Sequence, residues 1–275
     1  MEIRINSQEE LNNIKNKYNY NNIVQISCFG TDVFDLSPLK ELLNLQYLRC
    51  YNTQISDLSP LKGLINLQKL YCHYTQISDL SPLKCLKNLQ ILWCNNNQVL
   101  DLSPLKCIVN LRELNCSGIL VSDLSPLEGH KNLRELNFSR TLISDLSPLK
   151  DLKNLRKIVC SHTQVSDLSP LEGLKNLREL YCSYTQIKFM GKSINIRDIH
   201  IYHLKYNYKF NFLNYKLIVN IRNQKQRDLF YNFIEIWINN VIPAITTIQK
   251  KFKQHYYSTY NQSTIIYMKK NKIIN

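Results

Sequence analysis

Seven cysteines recur at intervals of 22 residues or a multiple of 22, and their thiols are the first candidates for chemistry in this chain. If these cysteines lie on stacked strands about 4.8 Å apart, neighbouring thiols could form disulfides or hold a metal as thiolates. The equivalent position between two of them holds Phe138, however, and no CxxC pair occurs. The pattern therefore favours small apolar side chains in a core. The seven are Cys28, Cys50, Cys72, Cys94, Cys116, Cys160 and Cys182.

We predict that all nine cysteines stay reduced and bind no metal. The remaining two, Cys85 and Cys107, fall on the helical side of the pattern and have no assigned role. No cofactor is expected, because the spacing of Ser, His, Asp and Cys residues indicates no catalytic Ser/His/Asp or Cys/His set, and the sequence has no glycine-rich phosphate loop.

A second series places an aspartate at the head of seven DLSPL segments. Carboxylates in a row could bind calcium or act as an acid and base, but both roles need further oxygen groups that converge on the site. Each aspartate instead stands two residues before a Ser-Pro pair, where it can accept hydrogen bonds from turn N–H groups. The series thus indicates turn stabilisation. Its members are Asp35, Asp57, Asp79, Asp101, Asp123, Asp145 and Asp167.

Both series belong to one tandem repeat of 22 residues, L-x-x-L-x-C-x-x-T-x-I-S-D-L-S-P-L-K-x-L-x-N. Leu48 and Cys50 alternate with outward-facing residues, as in a strand. Ser59 fits an N-cap followed by proline at the first position of a short helical turn. An asparagine before each strand can bond turn backbone. A fixed period of this length predicts a stacked solenoid, here with eight strands.

The repeat resembles the leucine-rich repeat superfamily, in the 22-residue class of bacterial internalins and a phosphatase-regulating nuclear protein. The LxxLxL-like strand, the I-x-D-L-x-P-L segment and the asparagine before each strand carry the resemblance over about residues 22–188. It implies an α/β solenoid, right-handed, with a concave parallel sheet of about eight short strands and short 3-10 or α turns on the convex side. Cysteine replaces the third strand leucine in all repeats but that of Phe138, and threonine replaces the turn asparagine in most repeats, whereas Asn97 keeps the usual residue. The superfamily shares no catalytic chemistry, so the resemblance implies binding and names no partner.

These patterns divide the chain into three parts. Residues 1–21 are predicted to cap the solenoid through a helix over residues 8–18, with Ser7 and Glu10 as a capping box. The solenoid covers residues 22–188.

Residues 189–275 form the third part, a basic capping or accessory region of α+β type. They carry fourteen Lys/Arg and three Asp/Glu, a net charge of +11 within a total of +14. Alternating residues over 206–212 and 215–221, around Leu213-Asn214, predict two strands in a hairpin. The helical spacing of Leu229, Phe233 and Val241 then predicts a helix that ends near Pro243. The charge indicates an acidic partner for this region.

Outward-facing strand positions in the first half of the solenoid hold aromatic and basic side chains. Tyrosine, tryptophan and arginine dominate binding hot spots, although aromatic residues also pair with one another along a sheet. We predict a partner-binding site on the concave face. Its residues are Phe29, Tyr47, Arg49, Tyr51, Lys69, Tyr71, His73 and Trp93.

A second candidate lies in a basic amphipathic helix predicted from Ala244 to about Tyr257. It resembles the first half of an IQ motif, which calmodulin-like proteins and myosin light chains bind, but Gln254 and Ser258 replace the motif's glycine and final basic residue. Such a helix can also bind nucleic acid or an anionic membrane, or simply cover a capping domain. The motif residues are Ile248, Gln249, Lys250, Lys251, Phe252 and Lys253.

The sequence as a whole predicts a noncatalytic protein-binding module or scaffold. Its first residues, MEIRINSQEEL, lack the apolar stretch of a secretory signal. No apolar run approaches the roughly 18 residues of a membrane span. We therefore expect an intracellular, cytoplasmic protein whose partner is another protein, with an acidic protein, nucleic acid or membrane as the alternative through the basic helix.

Overall fold

The computed structural model describes residues 1–187 and the backbone of two later strands. Within these residues eleven strands form one sheet in chain order. Strands β1 to β10 are parallel, and β11 is antiparallel to β10. The strands are β1 (Glu2–Arg4), β2 (Gln25–Ser27), β3 (Tyr47–Arg49), β4 (Lys69–Tyr71), β5 (Ile91–Trp93), β6 (Glu113–Asn115), β7 (Glu135–Asn137), β8 (Lys157–Val159), β9 (Glu179–Tyr181), β10 (Asp198–Ile201) and β11 (Leu217–Asn220).

The eight predicted repeat strands, β2 to β9, are confirmed, and their register follows the 22-residue period. Leu48 pairs with Leu70, and Leu92 pairs with Leu114 in the same way. The middle residue of each strand is buried while its two neighbours face outward. The parallel sheet also extends beyond the repeats, through β1 at one end and through β10 beyond residue 188 at the other.

Seven short 3-10 turns lie opposite the strands, and leucines from both sides fill the core between them. In every repeat the aspartate of DLSPL accepts a hydrogen bond from the serine N–H two residues later, at 2.7–2.8 Å. The predicted role in turn stabilisation is therefore confirmed. The turns are Ser37–Leu39, Ser59–Leu61, Ser81–Leu83, Ser103–Cys107, Ser125–Leu127, Ser147–Leu149 and Ser169–Leu171.

The prediction of the serine as N-cap was wrong. In the second of these turns the N-cap is Leu58, which has no capping side chain, and Ser59 is the first residue of the turn. The carboxylate of Asp57 takes over the capping role because it reaches the free N–H of Ser59 at 2.8 Å.

Asparagine side chains join each repeat to the one before it. Asn66 Nδ2, for example, donates to the carbonyl oxygen of Leu43 at 2.9 Å, and its six equivalents make the same bond. Threonine hydroxyls act within one repeat, as in the 2.7 Å bond from Thr53 to the Cys50 carbonyl oxygen. Asn97 instead reaches back to the Cys72 carbonyl oxygen at 2.9 Å. Backbone at the strand ends is therefore paired through side chains that the repeat supplies.

The N-terminal segment covers the first repeat, although its helix differs from the predicted one. It breaks into α1 (Gln8–Asn12) and α2 (Ile14–Lys17) at Asn13. Ser7 accepts from the Glu10 N–H as expected, but the Glu10 carboxylate binds the N–H of Asn6 instead of that of Ser7. The Gln8 amide bonds the backbone of Phe34 and Asp35, which ties this segment to the first turn.

All seven series cysteines are buried, as predicted, whereas Cys85 and Cys107 are exposed. Burial raises the pKa of the thiols of Cys28, Cys94 and Cys182 to about 12. Almost none of these thiols is ionised at neutral pH, and the thiolate is the reactive form.

We expect a thiol reagent to label only Cys85 and Cys107 in the native protein. After unfolding without reductant, all nine thiols should react, because the seven core thiols become accessible and regain ordinary pKa values. Quantitative alkylation followed by mass spectrometry measures both states. Core thiols missing in pairs after unfolding, or one bound zinc per chain, would contradict the packing role of the core cysteines.

Only backbone is described for the C-terminal region. Strand β11 overlaps the second strand of the predicted hairpin, but its described partner is β10, a segment for which no strand was predicted. The first hairpin strand, residues 206–212, and both predicted helices lie outside the described residues, so the predicted boundaries of this region stay predictions.

Candidate functional site

The outward-facing side chains of the concave face stand in columns, because each strand is in register with the next. One column consists of the third strand residues and another of the residues two positions later. The first holds Ser27, Arg49, Tyr71, Trp93, Asn115, Asn137, Val159 and Tyr181, and the second holds Phe29, Tyr51, His73, Asn95, Ser117, Ser139, Ser161 and Ser183.

Five rings of these columns form one contiguous group, called here the aromatic cluster: Phe29, Tyr51, Tyr71, His73 and Trp93. Phe29 stacks on Tyr51 with ring centroids 4.8 Å apart, and Tyr51 stacks on His73 at 4.4 Å. Trp93 lies edge-on to Tyr71 at 5.2 Å and tilted against His73 at 5.7 Å. The rings are half-buried against one another, so pairing along the sheet, the alternative left open by the sequence, occurs.

The three other predicted site residues lie beside the cluster. The Arg49 guanidinium is 5.8 Å from the Tyr71 ring centroid, and the Lys69 ammonium is 5.1 Å from that of Tyr47. Arg49 also donates to the Ser27 hydroxyl at 3.3 Å and lies 3.6 Å from the Glu2 carboxylate. The structure therefore brings all eight predicted residues together on one surface, with cations held over ring faces.

Burial and charge affect two ionisable groups of the cluster. Burial lowers the pKa of His73, so this ring is neutral at physiological pH. Burial also raises the pKa of Tyr71, and the nearby Glu113 carboxylate adds to the rise. Tyr71 therefore keeps its phenolic proton, and the cluster presents uncharged rings between the cations of Arg49 and Lys69.

The cluster ends at Trp93, whose indole N–H donates to a carboxylate oxygen of Glu113 at 2.7 Å. Beyond it, the face is lined by small and polar side chains and sinks into a shallow hollow of about 220 Å³. The amide oxygens of Asn115 and Asn137 are engaged with the serines two residues later. Polar and apolar residues line the hollow together: Trp93, Glu113, Leu114, Asn115, Glu135, Leu136, Asn137, Lys157 and Val159.

Sequence reasoning missed Tyr74, which extends the cluster. Its ring is 58% exposed and lies 5.7 Å from His73. Its φ of 52° is left-handed, and the equivalent residue of all eight repeats has a positive φ. The signal was present in the sequence, since Gly30, Asn52 and Asn96 at equivalent positions are residue types that tolerate this conformation.

The described residues offer no alternative centre for metal chemistry. Within residues 1–187 no three His, Cys, Asp or Glu side chains converge in a way that could hold a metal ion. The second predicted site, Ile248–Lys253, lies outside the described residues. In the part of the chain that the structure describes, no helix is long and apolar enough to span a membrane.

Comparison with known proteins agrees with this geometry. The family model for leucine-rich repeats in two copies matches residues 65–107, 109–151 and 153–196. Internalin C2 of Listeria monocytogenes is 32% identical with a TM-score of 0.57, and the match covers 64% of this chain and 76% of that one. Curated protein sequences give no match.

Two further solved structures share the fold at lower identity. An internalin F of Listeria monocytogenes is 24% identical with a TM-score of 0.60, covering 74% of this chain and 67% of that one. A leucine-rich repeat protein of Leptospira interrogans is 23% identical with a TM-score of 0.51, covering 59% and 48%. The repeat pattern, the stacked parallel strands and these matches place the chain in the leucine-rich repeat family, in its internalin-like class.

Proposed function

We propose that this protein is a noncatalytic binding module that holds another protein on its concave face, with the aromatic cluster as the anchor. The observation that supports this most is the continuity of the cluster. Its rings run without a gap over four adjacent repeats, from Phe29 to Trp93. Four strands spaced about 4.8 Å apart give an aromatic strip about 15 Å long. That length suits the centre of an interface that buries about 800 Å² per partner.

The cluster is also preorganised for binding. Its rings contact one another, and Arg49 and Lys69 lie over ring faces, so few side-chain rotamers remain to be frozen when a partner arrives. Binding to fixed side chains loses less conformational entropy than binding to mobile ones. Tyrosine, tryptophan and arginine in such a setting are typical hot-spot residues.

The hollow next to the cluster supplies hydrogen-bonding groups beside its apolar lining. The Glu113 carboxylate is oriented by Trp93, and Glu135 stands exposed beside it. Because the oxygens of Asn115 and Asn137 already accept bonds from their own turns, their amide N–H groups are left to serve a partner. An apolar anchor flanked by polar groups is the usual arrangement of a protein interface.

The basic C-terminal region favours a second candidate function, because residues 189–275 carry a net charge of +11. In that case an acidic protein, a nucleic acid or an anionic membrane would bind through the lysines near Phe252. The two functions differ in salt dependence. A nucleic-acid complex held by about six or more Lys/Arg contacts to phosphate loses about a thousandfold or more in affinity between roughly 50 and 200 mM salt, whereas an aromatic protein interface changes little.

Replacing Lys250, Lys251 and Lys253 together with glutamate should leave capture of the protein partner unchanged. The partner would be captured from cell extract with the full chain, identified, and its Kd measured at low and moderate salt. A matched control replaces three exposed lysines of the solenoid with glutamate, at Lys131, Lys153 and Lys175. This control changes the net charge of the protein by the same amount.

The outcome separates the two candidates. Steep loss of binding with salt, together with loss in the C-terminal variant and not in the control, would show that the basic region binds the partner. Retained binding in both variants, with little salt dependence, is the expected result.

A further inference from the structure

Cys85 and Cys107 occupy the same repeat position in adjacent repeats, each directly after the lysine of SPLK. Both are exposed, whereas the other seven cysteines are buried. Equivalent positions elsewhere hold charged residues or glycine, as at Glu41, Gly63 and Asp151. Core packing therefore does not require cysteine here, and the two exposed thiols belong to adjacent repeats.

The approach of neighbouring turns at this position varies from repeat to repeat. A Cβ built on Gly173, the equivalent residue of a later repeat, would lie 3.6 Å from the carbonyl oxygen of Lys150 in the preceding repeat, whereas one on Gly63 meets no atom within 4 Å. Near the two cysteines, the side chain of Asn110 binds the Lys87 carbonyl oxygen at 2.8 Å and so joins the two repeats. The turn Ser103–Cys107 runs through its cysteine, whereas the turn Ser81–Leu83 ends before Cys85. The two turns have Cα atoms within 8 Å of one another, a separation from which the 4.4–6.8 Å between Cα atoms of a disulfide can be reached.

The surroundings of the pair are basic. Lys84 and Lys87 flank Cys85, and Lys106 precedes Cys107, all three exposed. Positive charge around an exposed thiol raises the local concentration of anionic reagents, and oxidised glutathione is an anionic disulfide.

We infer that Cys85 and Cys107 form a reactive dithiol that a low-molecular-weight disulfide oxidises to a bridge between two adjacent repeats. One protein thiolate attacks a sulfur of oxidised glutathione, forming a mixed disulfide and releasing a glutathione thiolate. The second protein thiolate attacks the protein sulfur of that mixed disulfide, and a second glutathione leaves. Each departing thiolate takes up a proton that a protein thiol has lost. Two protein thiols are thereby oxidised, and one glutathione disulfide is reduced to two thiols.

The test is to treat the folded full-length protein at low concentration with oxidised glutathione, alkylate the remaining thiols and digest with trypsin. Cleavage after lysine and arginine separates Cys85–Lys87 from Cys107–Arg112, so a bridge joins two otherwise separate peptides. We expect this cross-linked peptide, lacking two hydrogen atoms, in most chains. The seven core cysteines should be found alkylated only after unfolding. The bridged form should also unfold at a higher temperature than the reduced form, since the bridge restricts the unfolded chain.

A single Cys107→Ser variant should instead take up one glutathione per chain at Cys85. As a matched control, Cys107→Ser with Asp151→Cys keeps two exposed thiols at equivalent positions but separates them by three repeats, and it should form no bridge within the chain. Glutathione on both cysteines without the cross-linked peptide, covalent dimers alone, or unmodified thiols would each overturn the proposal. A bridge that forms equally in the Asp151→Cys control would overturn it as well, since proximity would then play no part.

Discussion

Replacing Tyr71 and Trp93 together with alanine should weaken binding of the protein partner by about 4 kcal/mol, roughly a thousandfold in Kd. The two rings form the end of the contiguous aromatic strip that borders the hollow, in edge-to-face contact at 5.2 Å. Each is the kind of anchor that contributes about 2 kcal/mol or more to an interface. Isothermal titration with the purified partner measures the change, and both the single variants and the double variant should be compared, because contacting residues are not additive.

The same double variant should lose some stability, because the rings also support one another. The edge-to-face pair and the bond from Trp93 to Glu113, at 2.7 Å, together account for about 1–2 kcal/mol of folding free energy. The sequence predicted almost no cost, since both side chains point away from the core. Circular dichroism during thermal unfolding separates this loss from the effect on binding.

Tyr184→Ala is a matched control for the aromatic anchor. Tyr184 is also an exposed ring on the sheet side, stacked on His162 at 4.2 Å, but it lies at the opposite end of the repeats. It should leave the Kd unchanged. If the Tyr71 and Trp93 variants bind the partner as well as the unmodified protein, the aromatic cluster is not the site.

Replacing Leu114 with alanine should lower the free energy of unfolding by about 2–5 kcal/mol. Leu114 is 1% exposed at the middle of β6 and stands in register between Leu92 and Leu136. Alanine there leaves a cavity in contact with both neighbouring repeats. Since each repeat of a solenoid is stabilised mainly by its neighbours, the loss should also weaken the coupling between the two halves of the stack. Chemical denaturation with fluorescence or circular dichroism measures the change.

Leu120→Ala deletes the same atoms from a residue only six positions away that is 64% exposed. Its free energy of unfolding should stay within about 0.5 kcal/mol of that of the unmodified protein. Equal losses in the two variants would show that Leu114 is not a core residue, and would contradict the assigned register of the sheet.

Most of the fold could be predicted from the sequence because the repeat contains no insertion or deletion. Once the period is 22 residues, each residue stacks on its own equivalents, so the burial of Leu48, the burial of Cys50 and the turn bond of Asp57 follow from alternation and local chemistry alone. The same register places Cys85 and Cys107 at one position in adjacent repeats.

Where periodicity ends, the sequence was a weaker guide. The break of the N-terminal helix at Asn13 and the bond from Asn6 to Glu10 were not predicted, and neither were the bonds of Gln8 to the backbone of Phe34 and Asp35, more than twenty residues away. Strand β10 likewise pairs in parallel with β9, the last repeat strand, although its sequence has no repeat pattern that predicts this pairing. Pairing between segments distant in the chain leaves no local signal.

For the candidate site, the sequence alone determined which side chains face outward, because strand alternation sets that directly. Only the tertiary structure decided what those side chains do there. Whether Tyr51 stacks on His73, whether Trp93 bonds Glu113, and whether a hollow opens beside them depend on rotamers chosen among neighbours in adjacent repeats. The rotamer of each side chain depends on all of its packing contacts at once. The sequence gives only the residue type at each position.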